Sequence, residues 1–261
     1  MMIHFDNVRF RYDAGIDVFK GLRIGIEAGS CVLIVGRNGA GKSTLLKLLN
    51  GILRPSEGTV IVNGLDTHDH PTSRLAADVS VTFQNPSHQL FASTVLREAE
   101  FAPRNLGKEQ PRKLAVDALR LFQLDGQAQI HPYDLSLARR KLLAIASASA
   151  SDTHVLAFDE PSVNLSRPEQ RILLDALDNL KNRNKTLLIV SHDLQLFLPL
   201  CTHVLILREG SVSFFDSPEA LVRNQTLLRR SGVRLPLVHR LRPYCGLPPI
   251  PGRPLNEGPS Q

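Results

Sequence analysis

Eight residues constrain this chain more than any other stretch: Gly36, Arg37, Asn38, Gly39, Ala40, Gly41, Lys42 and Ser43. They match the pattern G-x-x-x-x-G-K-[ST] in full. An apolar, β-type run from Cys31 to Val35 precedes them, and Leu45, Leu46, Leu48 and Leu49 follow at helical spacing. This strand–loop–helix context is what a phosphate-binding loop requires. Its glycines let backbone N–H groups turn inward around anionic oxygens. The helix that opens at Lys42, Ser43 and Thr44 points its positive end at the same oxygens. Lys42 reaches the β- and γ-phosphates of a nucleotide, and the Ser43 hydroxyl is placed to ligate Mg²⁺.

The 261 residues suit one large domain, or a domain with a small appendage. Cys31, Cys201 and Cys245 show neither paired nor metal-type spacing, which fits a reducing cytosol. No signal peptide is evident, and no apolar run is long enough to span a bilayer, so membrane contact is expected only through a partner. The net charge of +6 is uneven. From Arg223 onward stand seven arginines and one acid, Glu257, so 7 − 1 = +6 and residues 1–222 are neutral. A neutral body argues against nucleic-acid binding. Seven of the 17 prolines also lie beyond Arg223, so 223–261 reads as an extended, basic, proline-rich tail. Its arginines suit anionic lipid headgroups or a partner, or it is a passive end.

Residues 3–10 alternate as a half-buried strand, and Leu22, Ile24 and Ile26 alternate as a second. After the phosphate-loop helix, Thr59–Val62 is a short strand closed by the hairpin signal Asn63-Gly64. Val79–Phe83 is β-rich and ends at Gln84, whose amide can touch Mg²⁺ or attacking water, or is simply a loop glutamine. Residues 92–148 read as mainly helical. One helix passes through Val95, Leu96 and Ala99 and ends at Pro103; a second runs from Pro111 to Phe122 or Leu124; a third opens at Leu135-Ser136. Val155–Phe158 is an apolar strand that delivers Asp159 and Glu160 to the sheet's C-terminal edge, where open α/β sheets hold ligands. Asp159 is placed to hold Mg²⁺ and Glu160 to activate water. A helix from Pro168 to about Leu180, with Ser166 as its cap, precedes the buried-type strand Thr186–Val190. That strand ends in Ser191-His192-Asp193, where His192 can contact the γ-phosphate or belong to a capping turn. A hairpin through Glu209-Gly210 and a last short helix at Ser217-Pro218-Glu219 follow.

The motifs fall in a fixed order: Tyr12, the phosphate loop, Gln84, Leu135-Ser136, Asp159-Glu160 and His192. Over residues 2 to about 222 this order resembles the ATPase subunits of ABC transporters. The resemblance implies an α/β P-loop NTPase fold with a mainly parallel core sheet, an antiparallel β subdomain and a helical subdomain at about 86–150. It implies ATP with Mg²⁺ as ligands and ATP hydrolysis as the reaction. Within it Tyr12 stacks on adenine (locally it reads as an ordinary strand-end tyrosine equally well). Gln84 matches the Q-loop, Asp159 the metal-holding aspartate, Glu160 the catalytic glutamate and His192 the switch histidine. The run Phe83–Phe91, with Thr94-Val95 and Phe101–Gly107, is similar to energy-coupling-factor ATPases, which serve vitamin and cobalt/nickel importers. In that group this segment meets an integral-membrane subunit, which implies a peripheral place on the cytoplasmic face of the membrane. Glu98 and Glu100 either pair with that subunit's arginines or are solvated helix charges.

Two positions depart from the family pattern. Leu135-Ser136-Leu137-Ala138-Arg139 stands where Leu-Ser-Gly-Gly-Gln is usual, and Ser166 stands where an aspartate is usual. In the family both elements face the nucleotide of a second ATPase subunit. Leu137 and Ala138 crowd backbone donors that the glycines would leave open, and Arg139 is a substitute source of charge. This points to a heterodimer, with a homodimer as the alternative. A weakly hydrolysing, nucleotide-responsive assembly subunit and a soluble ABC ATPase unconnected with transport are the competing functions.

Overall fold

The computed structural model describes residues 1–13, 15–224 and 227. The expected lipid- or partner-binding role of the tail lies almost wholly outside the described residues. In chain order the strands are β1 (Ile3–Arg11), β2 (Asp17–Ile26), β3 (Cys31–Gly36), β4 (Glu57–Val62), β5 (Leu65–Asp66), β6 (Val79–Thr82), β7 (Val155–Asp159), β8 (Thr186–Val190), β9 (His203–Arg208) and β10 (Ser211–Asp216). The helices are α1 (Lys42–Leu49), α2 (Thr72–Leu75), α3 (Val95–Asn105), α4 (Pro111–Leu121), α5 (Leu137–Ala150), α6 (Arg167–Asn182), α7 (Leu194–Phe197) and α8 (Pro218–Arg223).

Two sheets organise these elements. The first is antiparallel in the order β2-β1-β4-β5. The second runs β10-β9-β3-β8-β7-β6. Its five strands from β9 to β6 are parallel, and only β10 pairs antiparallel, with β9. All six residues of β3 are buried, because helices or a second sheet cover both of its faces. Its side chains divide by parity. Cys31, Leu33 and Val35 join a core with α3–α6, whereas Val32 and Ile34 join a core with α1 and the antiparallel sheet. This double anchoring fixes the strand that feeds the phosphate loop.

The expected α/β architecture and most element positions agree with the structure. One helix end does not: Pro103 lies inside α3, which continues to Asn105. Proline removes one donor and crowds the carbonyl four residues back. Here that disturbance falls in the last turn, and bonds from Leu106 N to Ala102 O and from Lys108 N to Pro103 O still close the helix. The reading of Glu98 is also corrected. It is 4% exposed, and Oε2 accepts from Phe91 N at 2.9 Å and Ala92 N at 2.7 Å. It therefore satisfies its own chain's backbone and is not a solvated helix charge. Glu100 instead pairs with Arg104 at 3.2 Å on the same helix.

Candidate functional site

Gly36 ends β3, and the chain turns through Arg37–Ala40 into α1. A Cβ at Gly36 would stand 2.5 Å from Leu207 O, so only glycine fits this strand exit. Gly41 caps α1 with φ +98, and a Cβ there would meet the Phe19 ring at 2.8 Å. Arg37, Asn38 and Gly39 are exposed, whereas Ala40 is packed into the core. Lys42 is 8% exposed, and its ammonium donates to Gly36 O at 2.8 Å and Arg37 O at 3.1 Å. Burial lowers its pKa, while Glu160 and Asp159 act to raise it. The lysine is thus folded over its own loop, on two carbonyls that phosphate oxygens can replace. Tyr12 lies beside the same helix. Its hydroxyl is 3.0 Å from Thr44 Oγ1, and its ring packs edge-on to Phe10 at 4.9 Å.

The ends of β7 and β8 bring the candidate chemistry opposite this loop. Asp159 Oδ2 accepts from Ser43 Oγ at 2.7 Å, although the two are 116 residues apart. Glu160 follows with φ +51, a left-handed backbone, and its N–H donates to Val190 O at 2.9 Å. Its Oε1 lies 3.4 Å from His192 Nε2. Burial raises the Glu160 pKa most; His192 and Lys42 lower it and Asp159 raises it further. A carboxylate with a raised pKa is a better proton acceptor near neutrality. Asp193, next to His192, caps α7 through a bond from Leu196 N at 3.0 Å.

The hydroxyl and carboxylate pair of Ser43 and Asp159 suits Mg²⁺, which prefers oxygen ligands. Among the described residues no three His, Cys, Asp or Glu side chains gather to hold a metal. Nucleotide phosphates would have to complete the shell. The amide that organises the loop after β6 belongs to Gln89, whose Oε1 accepts from Phe83 N at 3.1 Å. The Gln84 side chain is exposed, and the residue's backbone carbonyl accepts from Lys141 Nζ at 2.6 Å. Sequence reasoning missed Gln89 and Lys141, because neither belongs to the motif that drew attention to Gln84.

The family description "ABC transporter" matches residues 19–163. This chain belongs to the ABC transporter ATP-binding family. It is therefore an ATP-binding ATPase of the transport-coupled kind. The energy-coupling factor transporter ATP-binding protein EcfA of Methanocaldococcus jannaschii is 32% identical over 244 residues, 92% of this chain and 88% of the relative. The structure of cbiO1 from Clostridium perfringens, part of the ABC transporter complex cbiONQ, has a TM-score of 0.78 at 26% identity. It covers 93% of this chain and 98% of that one. A dimeric ATP-binding cassette in a post-hydrolysis state with ADP and phosphate has a TM-score of 0.75 at 25% identity, covering 83% and 99%.

Two further features of this ABC ATPase lie outside the phosphate-loop site. In the altered signature, Leu137 is 49% exposed at the start of α5. In the sequence Arg139 reads as a substitute source of charge. Its guanidinium instead donates to Gln123 O at 2.7 Å, which ties it to its own chain. Ser166 stands at the N-cap of α6, where its N–H and hydroxyl both donate to Glu169 Oε2 at 2.8 Å. The second feature is a cavity of about 790 Å³ lined by Arg97, Glu100, Phe101, Arg104 and Arg112 of α3 and α4. Phe91 and Phe101 stack edge-on at 4.6 Å beside it and are 63% and 48% exposed.

Proposed function

We propose that this chain is the ATP-hydrolysing subunit of an energy-coupling-factor-type importer of a small nutrient, a vitamin or a transition-metal ion. The exposed Phe91–Phe101 pair beside an arginine-lined cavity carries this reading. Exposed aromatics of this kind mark interaction sites and anchor interfaces. The names of the similar EcfA and cbiO1 proteins support the same reading. The occupant is a helix or loop of an integral-membrane subunit. Among the described residues no helix is long and apolar enough to cross a membrane, so that subunit supplies the attachment at the cytoplasmic face. Changing Phe91 and Phe101 together to serine is expected to weaken co-purification with the membrane subunit by about 30-fold or more, as loss of aromatic hot spots does. ATP binding should be unchanged. Full retention of the complex would refute this docking site.

In the proposed chemistry the loop amides, Lys42 and the start of α1 hold the triphosphate, and Tyr12 stacks on the base. Ser43, Asp159 and Gln84 hold Mg²⁺, which when bound neutralises developing phosphate charge. Glu160 takes a proton from the attacking water, and His192 supports the γ-phosphate and Glu160 together. Domain 1–222 carries this machinery, and 223–261 stands outside it.

A second ATPase subunit with an intact glycine signature is the proposed partner. The exposed Leu137 side chain and the engaged Arg139 support it, since neither offers oriented donors to a nucleotide across an interface. Losing one such donor costs about 3–4 kcal/mol in a transition state. Changing Leu137 and Ala138 to glycine is expected to raise ATP turnover of the chain purified alone by about 10²-fold or more. Brisk turnover in the unaltered chain, unmoved by the double change, would leave an ordinary homodimer.

A further inference from the structure

We propose that Lys141 is a positioning residue of the nucleotide site, its ammonium clamping the Gln84 carbonyl to the Asp159 carbonyl. The clamp holds the loop after β6 and the carboxylate end of β7 at one spacing. This rests on the hydrolytic reading of the phosphate-loop site.

Lys141 comes from the first turns of α5, between Arg140 and the fully buried Leu142. It is 4% exposed, yet its Nζ lies 2.6 Å from Gln84 O and 3.5 Å from Asp159 O. A buried ammonium is expensive to desolvate, and an apolar side chain of similar volume commonly stabilises such a position at least as well. Packing alone therefore does not account for a lysine here. The sheet explains what the lysine adds. β6 and β7 pair in parallel only as far as Thr82 and Phe158, so no ladder bond joins the chain beyond. Gln84 and Asp159 lie just past that limit, and Lys141 bridges them.

Neighbouring bonds hold the rest of the loop to the same helix entrance. Tyr133 Oη donates to Ser87 O at 2.9 Å, and the Arg140 guanidinium lies 4.9 Å from the centre of the Tyr133 ring. The loop from Gln84 to Leu90 runs directly into Phe91 of the docking groove. A clamp at its start gives movement of the groove a short route to Asp159 and Glu160.

The test uses the full chain with Lys141→Met, which keeps the stem and loses the donors, and Lys141→Gln, which keeps a shorter donor. Amide hydrogen exchange of residues 84–90 is measured with a bound non-hydrolysable ATP analogue and Mg²⁺. In Lys141→Met, exchange there is expected to be about tenfold faster, the loss of one charge-assisted hydrogen bond. Affinity for the analogue and the melting temperature should stay near those of the parent. In the assembled complex, kcat should fall about 10–100-fold with KM unchanged, as for other groups that orient metal ligands, and Lys141→Gln should recover part of it. Parental exchange at 84–90 in a folded Lys141→Met chain would overturn the proposal. So would a loss of kcat that only follows a lowered melting temperature in both variants. If Lys141→Met does not fold, Lys141→Gln decides: faster exchange at 84–90 supports the clamp, and parental exchange with parental kcat overturns it. If the parent complex releases no phosphate but the exchange difference stands, the hydrolytic reading fails and the clamp survives.

Discussion

Glu160→Gln is expected to slow ATP hydrolysis by about 10²–10⁴-fold while leaving ATP bound, because it removes a proton acceptor and keeps the shape of the side chain. The surroundings favour a base at this position. Burial raises the Glu160 pKa, and the nearby His192 at 3.4 Å limits the rise. The Glu160 backbone is left-handed, at φ +51. Glutamine meets the same backbone cost, so the variant should fold as the parent does. Rapid-quench phosphate release and equilibrium ATP binding, measured on the same preparation, separate the two effects. Parental release would remove Glu160 from its assigned role.

Lys42→Met acts earlier. The methionine fills the channel now occupied by the lysine stem, so the nucleotide-free protein should melt near the parental temperature. What disappears is the ammonium that Gly36 O and Arg37 O now hold at 2.8 and 3.1 Å. Two charge-assisted hydrogen bonds to phosphate oxygens contribute about 3–4 kcal/mol, so ATP affinity should fall about 10²–10³-fold. Titration with a fluorescent ATP analogue reads this directly. Affinity within threefold of the parent would mean the lysine never leaves its own loop.

The two variants target the part of the chain that its sequence displayed most openly. The phosphate loop was legible because strand, loop and helix are contiguous and each glycine has a local reason. The cap Ser166 was legible for the same reason: a cap acts within three residues. The carboxylates and His192 could be placed at a sheet edge from strand burial alone. Their 2.7 and 3.4 Å partners depend on sheet order, which periodicity does not give.

What stayed hidden is the set of polar side chains that serve distant backbone. Glu98 reads as a surface helix acid until its two amide partners are seen. Lys141 reads as one more charge in a basic helix start, because its partner carbonyls lie 57 and 18 residues away. Cys31 and Cys201 show no meaningful spacing along the chain. Yet β3 and β9 are neighbours, and the two free thiols stand 3.5 Å apart, with burial raising the pKa of Cys201 well above its ordinary value. Pro103 misled because the rule that proline ends helices applies to interiors, and the last turn tolerates it.

In the proposed mechanism, ATP held by this chain's own phosphate loop is cleaved with Glu160 as the base, within a transporter complex. The direct measurement is single-turnover phosphate release from the purified complex, with Glu160→Gln placed in this subunit only. Phosphate release from this site is expected to be lost while its ATP stays bound and the complex stays assembled. Release of undiminished amplitude and rate would contradict it.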